Sequence, residues 1–412
     1  MSDVVSLVGL IGGLALLIVL TLRGWNLFIS APICSLIVAL TSAIPIFQSE
    51  INFVQSYMSG FTGFVASWFF MFLLGSIFGK FMEDTGAADS VASWITGKVG
   101  KQRAVLAVVI ACAVLTYGGV SLFVVAFAVY PMALSLFKEA NLPRRFIPAA
   151  LAFGSVTFTM TSAGSPEIQN WIPMEYLGTT PYAAWEVSLV VAIFMAVFGY
   201  WWLQRIISAA IHRGEGFQSR DTDPQLVERR RPHPATGMLP LIVVLALSFF
   251  YHDTLQQNAL IVALLGGVLT LMAINWSYFT DIQVALGHAT TGALLAIGNT
   301  AAVVGFGGVA RITPAFDMAV LAVTSLPGNE LLGAAVAVSA IAGLTGSASG
   351  GQVIALPAVA PHYLDPHNGY VVTTIRGICN ESHKDAYWAV GAVTVVVPLM
   401  GLTLALLLFN LF

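Results

Sequence analysis

Residues Thr157–Trp171 read TFTMTSAGSPEIQNW. They interrupt an apolar run that begins at Phe146 and looks like the start of a membrane helix. Hydroxyls, a Gly, a Pro, a Glu, a Gln and an Asn then follow within a few residues. Lipid cannot hydrogen-bond a backbone. A non-helical stretch at membrane depth therefore survives only when buried in protein or lining a water-filled cavity. The stretch predicts one span, residues 146–177, broken in its middle.

The rest of the chain makes the membrane setting plain. Hydrophobic residues are 58% of the 412 and charged residues only 9%, against about 25% charged in an ordinary soluble domain. Apolar runs of about 18 residues or more recur from end to end, which predicts an all-α polytopic membrane protein. The net charge of −3 says nothing about nucleic acid and no basic face suggests it, so no nucleic-acid partner is expected. Cys34, Cys112 and Cys379 lie in apolar segments without paired spacing and read as buried small hydrophobes. The opening MSDVVSLVGLIGG has no basic n-region and reads as a first span, not a removed leader.

Clear spans are expected near Val4–Leu22, Leu27–Phe47, Phe61–Met82, Val187–Ile207, Met238–Tyr251, Leu260–Ile274 and Leu286–Ala310. Two apolar regions are too long for one span, and each is broken by small residues. TYGGVS (Thr116–Ser121) interrupts residues 104–137, and TGSASGG (Thr345–Gly351) interrupts residues 331–360. Each is expected to be a re-entrant hairpin with a buried tip. Fourteen of the 17 Lys and Arg then fall on one face: Arg23; Lys80, Lys98, Lys101 and Arg103; Lys138, Arg144 and Arg145; and Arg205, Arg213, Arg220, Arg229, Arg230 and Arg231. By the positive-inside rule that face is cytoplasmic. Two full spans over 104–137 would give the same charge pattern. The short, apolar turn between the halves is what favours re-entry.

The chain also looks repeated. Residues 1–209 form a first unit, 210–236 a polar cytoplasmic linker, and 237–412 a second unit. FTGFVAS at Phe61 pairs with TTGALLA at Thr290, VLTYGG at Val114 with GLTGSASGG at Gly343, and AVYPMAL at Ala128 with AVAPHYL at Ala358. The opening stretch pairs with IRGICNESHKDAYW at Ile375, inside a second broken helix over 370–394. Each unit has an odd number of crossings, so the repeats are inverted. Inverted repeats with discontinuous helices are a secondary-transporter architecture, and paired interruptions mark its binding site.

Four stretches carry a family resemblance: GGVSLFVVAFAVYPMALSLFKEANLPRRF, TFTMTSAGSP, LTGSASGGQVIALPAVAP and CNESHKDAYWAVG. In this order they resemble the gluconate permease family, the gluconate:proton symporters of the ion transporter superfamily. The resemblance implies an elevator-type homodimer in the inner membrane, and small hydroxycarboxylates such as gluconate as substrates. This chain departs from the pattern at Val124, where the family commonly has Glu. It departs again at Ser165, Pro166 and Glu167, where the family's turn has His.

Anion chemistry suits the interruptions. Hairpin tips present unpaired N–H groups at helix ends, glycines allow close backbone approach, and hydroxyls donate to carboxylate oxygens. The candidate substrate-binding residues are Thr116, Tyr117, Gly118, Gly119 and Ser121; Ser162, Gly164, Ser165 and Asn170; and Thr345, Gly346, Ser347, Ser349 and Gly350. Arg376, with Asn380 nearby, offers a bidentate fork for a carboxylate. Glu167, Glu381, His383 and Asp385 are candidates to carry a coupling ion, because ionisable groups inside a membrane are costly and functional by default. The competing reading is structural: small residues for tight packing, an Arg376–Glu381 pair, and polar residues at span ends. No metal or organic cofactor is expected; the coupling ion is H⁺ or Na⁺. An intramembrane serine hydrolase using Ser165 or Ser349 with His383 lacks a nucleophile-turn motif, and a channel would not need two broken units. The chain is therefore expected not to be an enzyme.

Overall fold

The computed structural model describes residues 3–47, 50–100, 103–120, 122–160, 162–220, 231–324 and 348–363, with residues 336, 338, 339, 400, 401, 403 and 404. No strand occurs among them. In chain order the helices begin α1 (Asp3–Leu22), α2 (Leu27–Thr41), α3 (Phe53–Asp84), α4 (Ala87–Val99), α5 (Ala104–Tyr117), α6 (Leu122–Glu139) and α7 (Ile147–Ala152). They continue with α8 (Ile168–Leu177), α9 (Trp185–His212), α10 (Pro234–Leu255), α11 (Asn258–Asn275), α12 (Ile282–Ala310), α13 (Pro314–Thr324) and α14 (Ala348–Tyr363). Among the described residues, 6 helices are long and apolar enough to cross a membrane: α1, α3, α9, α10, α11 and α12. This is a polytopic helical membrane protein.

Capping explains where the spans begin. Asn52 accepts from the Gln55 N–H at 2.9 Å, so α3 starts well before the apolar stretch at Phe61. Asp281 accepts from the Gln283 and Val284 N–H groups and opens α12. Pro234 sits in the first turn of α10 with His233 as the cap, so this helix too starts earlier than its apolar stretch. Two helices were not expected. Helix α4 mixes Asp89 and Lys98 with small residues, and its 13 residues reach only about 20 Å. Helix α13 has just 11.

Helices α3 and α12 pack on each other along much of their length. The Tyr57 hydroxyl donates to the Ala302 carbonyl at 3.0 Å, and the Ser76 hydroxyl to that of Ala289 at 2.7 Å. One helix therefore runs opposite to the other. Glycine sets the distance between them. A Cβ on Gly60 would lie 2.6 Å from the Val304 oxygen, and one on Gly308 would lie 2.4 Å from the Ser56 oxygen. Only residues without side chains allow backbones so close, as in other membrane helix pairs.

The linker ends gather at one end of the bundle. Asn141, after α6, accepts from the Phe217 N–H at 3.0 Å, and Arg145 pairs with Glu215 at 2.8 Å. Ser90 of α4 donates to the Pro232 carbonyl at 2.6 Å. Helices α5 and α6 pack against each other across the turn that joins them, and the Thr96 hydroxyl of α4 donates to the Met132 sulfur of α6 at 3.6 Å. The 14 residues of α5 cover about 21 Å, short of the roughly 30 Å hydrocarbon layer.

Candidate functional site

The α5–α6 turn is built on glycine. The Val120 N–H donates to Leu115 O at 3.1 Å and the Gly119 N–H to Thr116 O at 2.9 Å, a Schellman cap. That cap needs a left-handed residue, and Gly119 supplies it at φ +93°. The bare Cα also lets the turn press on the broken segment: a Cβ there would lie 3.3 Å from both Pro166 Cγ and Val244 Cγ1. Tyr117 completes the junction, donating from its hydroxyl to the Ala163 carbonyl at 3.0 Å.

The broken segment runs between α7 and α8. Helix α7 widens into a π turn over Phe153–Thr157, and helix resumes at Ile168. Its freed backbone groups are taken up by neighbours. Asn170 is fully buried, and its amide N–H groups serve the carbonyls of Met160 and Ser162 at 2.9 Å and Ser165 at 3.2 Å. The Ala163 N–H donates to the Ser188 hydroxyl at 2.9 Å, and the Gly164 N–H to Pro181 O at 2.8 Å. Gly164 has φ +80°, with the Tyr182 ring where its Cβ would be.

The candidate residues between 116 and 170 that the structure describes thus meet at one place: Thr116, Tyr117, Gly118 and Gly119 on the turn, with Ser162, Gly164, Ser165, Glu167 and Asn170 on the segment it touches. Their roles differ. Thr116 is fully buried, and its hydroxyl has no hydrogen-bond partner among the described residues. Ser162 donates to the Phe158 carbonyl. Ser165 is buried and accepts from the Glu167 N–H at 3.5 Å. Glu167 heads α8 half-buried, and among the described residues its carboxylate caps no backbone N–H and makes no ion pair. Ser349 and Gly350 lie in the first turn of α14, buried. Ser121, Thr345, Gly346, Ser347, Arg376, Asn380, Glu381, His383 and Asp385 lie outside the described residues, as do the second broken helix and, apart from residues 336, 338 and 339, the second hairpin before residue 348. No cluster of three or more His, Cys, Asp or Glu suited to a metal occurs among the described residues.

Four side chains were not singled out by the sequence. Helix α8 packs on α14. Gln169 Oε1 and Trp171 Nε1 on α8, and both amide atoms of Gln352 on α14, are buried without a hydrogen-bond partner among the described residues. Arg311, at the end of α12, donates through Nη2 to the carbonyls of Val353 and Ile354, while its Nε is likewise buried without a partner. Gln169, Trp171 and Gln352 stand within stretches already conspicuous for polarity and glycine. Arg311 closes a helix that has no other Lys, Arg, Asp or Glu, and its charge was the available signal.

Residues 5–409 match the CitMHS family, described as citrate transporter. Over 93% of its length the chain is 34% identical to a protein of Bacillus subtilis (strain 168) named "Uncharacterized transporter YxjC", covering 94% of that protein. It is also 26% identical to an "Uncharacterized transporter" of Haemophilus influenzae, over 48% of this chain and 45% of that one. Family and relatives are transporters, as expected of a chain that is not an enzyme. The chain therefore belongs to the CitMHS citrate transporter family, and not specifically to the gluconate permeases that its four motifs resemble.

Proposed function

We propose that the protein is a secondary active transporter that imports a small hydroxycarboxylate together with a cation by alternating access. One observation carries this reading: a span whose helix stops at mid-course, between α7 and α8, and is held there by the glycine turn of α5–α6. A broken helix costs backbone hydrogen bonds in a membrane, and transporters place such breaks at their ligand sites. The antiparallel crossing of α3 and α12, which carry the paired motifs at Phe61 and Thr290, supports inverted repeats spanning 1–209 and 237–412. The same reading gives an inner-membrane homodimer of elevator type with the 210–236 linker in the cytoplasm.

The substrate class rests on two likenesses. The family is described as citrate transporter, and the motifs resemble gluconate permeases. Citrate and gluconate share a carboxylate beside a hydroxyl. A proton is the favoured coupling ion, with Glu167 its carrier in the first unit: a carboxylate at the head of α8 without an ion pair among the described residues. A thermal-shift screen of small carboxylates at several pH values, with and without Na⁺, tests the class, because a ligand that binds the native state raises the apparent melting temperature. Stabilisation by hydroxycarboxylates supports it. Stabilisation only by amines, amino acids or neutral sugars contradicts it.

A further inference from the structure

Residues 178–184 join α8 to α9 and fold back against the break. Pro181 gives its carbonyl to the Gly164 N–H at 2.8 Å. The next side chain, Tyr182, lies against the bare Cα of Gly164, where a Cβ would come within 2.4 Å of its ring. The same side chain meets α10. Its hydroxyl lies 3.2 Å from Ser248 Oγ, and Ser248 already donates to the Leu245 carbonyl at 3.0 Å, so Tyr182 is the donor. Its ring stands perpendicular to that of Phe249 with centroids 5.4 Å apart, and lies 4.7 Å from the ring centroid of His252. Tyr182 thus links the broken segment to the far end of α10.

His252 is the informative partner. Its Nδ1 lies 2.6 Å from the Phe249 carbonyl oxygen and its Nε2 lies 3.3 Å from Asp253 Oδ1. A carbonyl and an ionised carboxylate only accept hydrogen bonds. A neutral imidazole has one N–H and turns its other lone pair on an oxygen; the imidazolium donates to both. The geometry therefore suits the protonated ring. In that form it is a cation 4.7 Å from the Tyr182 centroid, inside the roughly 6 Å reach of cation–π attraction. The Asp253 side chain is 74% exposed, so water reaches the pair. Among the described residues, the titratable groups facing His252 are Asp253 on its own helix and Tyr182 on the returning segment. Helix α11, packed along α10, has no Asp, Glu, Lys, Arg or His. Helix α4 meets α10 at its other end, where Ala87 lies against Gly237. Glu186, at the start of α9, is exposed.

We propose that Tyr182 and His252 form a proton-operated latch. Protonated His252 holds Tyr182 on α10, and the break at Gly164 is held with it. Neutral His252 loses the charge and one hydrogen bond, and the hold weakens. Histidine is the side chain whose charge changes between about pH 5 and pH 8, so the latch is tight at the acid end of that range and loosens as pH rises. The latch sits at the end of α10 away from the linker. The transport reading above puts that end outside the cell, and the effect on transport rests on that reading: external acidity slows any movement of the broken segment relative to α10. This control is separate from the coupling ion.

Two measurements on the full-length protein test the latch and its effect separately. The first is amide hydrogen exchange of the segment carrying Ala163 and Gly164, at the acid and alkaline ends of the histidine range, corrected for intrinsic exchange. Protection in wild type should be about three- to tenfold greater at acid pH, the weight of one cation–π contact. His252→Gln still donates to the Phe249 carbonyl but carries no charge, and should lose the pH difference. Tyr182→Phe should keep it at lower overall protection, because the ring stays and only the Ser248 bond goes. The second measurement is counterflow of labelled citrate in proteoliposomes at equal pH on both sides. Taking the ratio of the His252→Gln rate to the wild-type rate removes pH effects that both share. That ratio should be about three to ten at acid pH and about one at alkaline pH. A wild type without the pH difference in exchange, or a His252→Gln variant that keeps it, overturns the latch. A ratio of about one at both ends overturns its effect on transport. If wild type exchanges neither citrate nor gluconate, the transport reading falls, and amide exchange still decides the latch.

Discussion

Arg311 donates to the carbonyl of Val353, the one carbonyl of α14 whose helical donor would be Pro357. Proline has no N–H, so that oxygen is orphaned by the sequence itself. A guanidinium from the end of α12 takes the place of the missing amide and reaches on to Ile354 at 3.3 Å. The bond ties α14 to the end of α12 at a point where α14 cannot hold its own backbone.

This pairing predicts a coupled pair of substitutions. Arg311→Ala should destabilise the folded protein by about 1–2 kcal/mol, the range for a charge-assisted bond inside a membrane protein. Pro357→Ala restores the helical donor. In that background the loss of Arg311 should cost clearly less, and thermal unfolding of the four proteins in one detergent measures the difference. Equal losses in both backgrounds would show that the freed carbonyl is not what Arg311 serves.

Asn170 is a clamp in this fold, whatever else it touches. Its amide supplies the carbonyls of Met160, Ser162 and Ser165. Asn170→Leu fills similar volume but leaves those oxygens short of donors, at about 1–3 kcal/mol for each one stranded. Asn170→Asp should do as badly, because an ionised carboxylate only accepts. Both should give poorly folded protein by size-exclusion and thermal unfolding. A well-folded Asn170→Asp with wild-type melting would remove the clamp.

Gly164 is limited twice. Its φ of +80° disfavours a side chain, and its Cβ would lie 2.4 Å from the Tyr182 ring. Gly164→Ala should lower the melting temperature, and Tyr182→Ala should restore part of it by removing the ring while leaving the backbone strain. Full restoration would mean that φ is not a constraint; none would mean that the ring is not the obstacle.

Glu167→Gln keeps shape and removes charge. If Glu167 carries the coupling proton, the variant should still bind substrate in a thermal-shift assay yet no longer concentrate it in response to an imposed pH gradient. Uptake with the wild-type response to the pH gradient would move the proton to another residue.

The breaks in this fold were legible because they violate a simple expectation. A run such as TFTMTSAGSPEIQNW cannot be a lipid-facing helix, and TYGGVS between two apolar halves cannot be a straight span; the chain stops being helical at both. Helix α4 was illegible because a short segment with Asp89 and Lys98 has neither a span's length nor its apolarity. Asn170 reads as a ligand group from its type and place, but the three carbonyls its amide serves are brought near by the break and could not be read from the sequence. The Arg311–Val353 bond joins residues far apart in the chain, so pattern could not reveal it. The four-residue spacing from Val353 to Pro357 was the readable half: it marks an orphaned carbonyl without naming its donor.

The central claim is coupled transport of a hydroxycarboxylate. Its most direct measurement is uptake of labelled citrate by the purified protein in liposomes under an imposed inward proton gradient, with a protonophore as control and an Na⁺ gradient as a second arm. The account predicts accumulation above equilibrium that collapses when the proton gradient is discharged. Uptake indifferent to both gradients, or no uptake of citrate and gluconate alike, would contradict it.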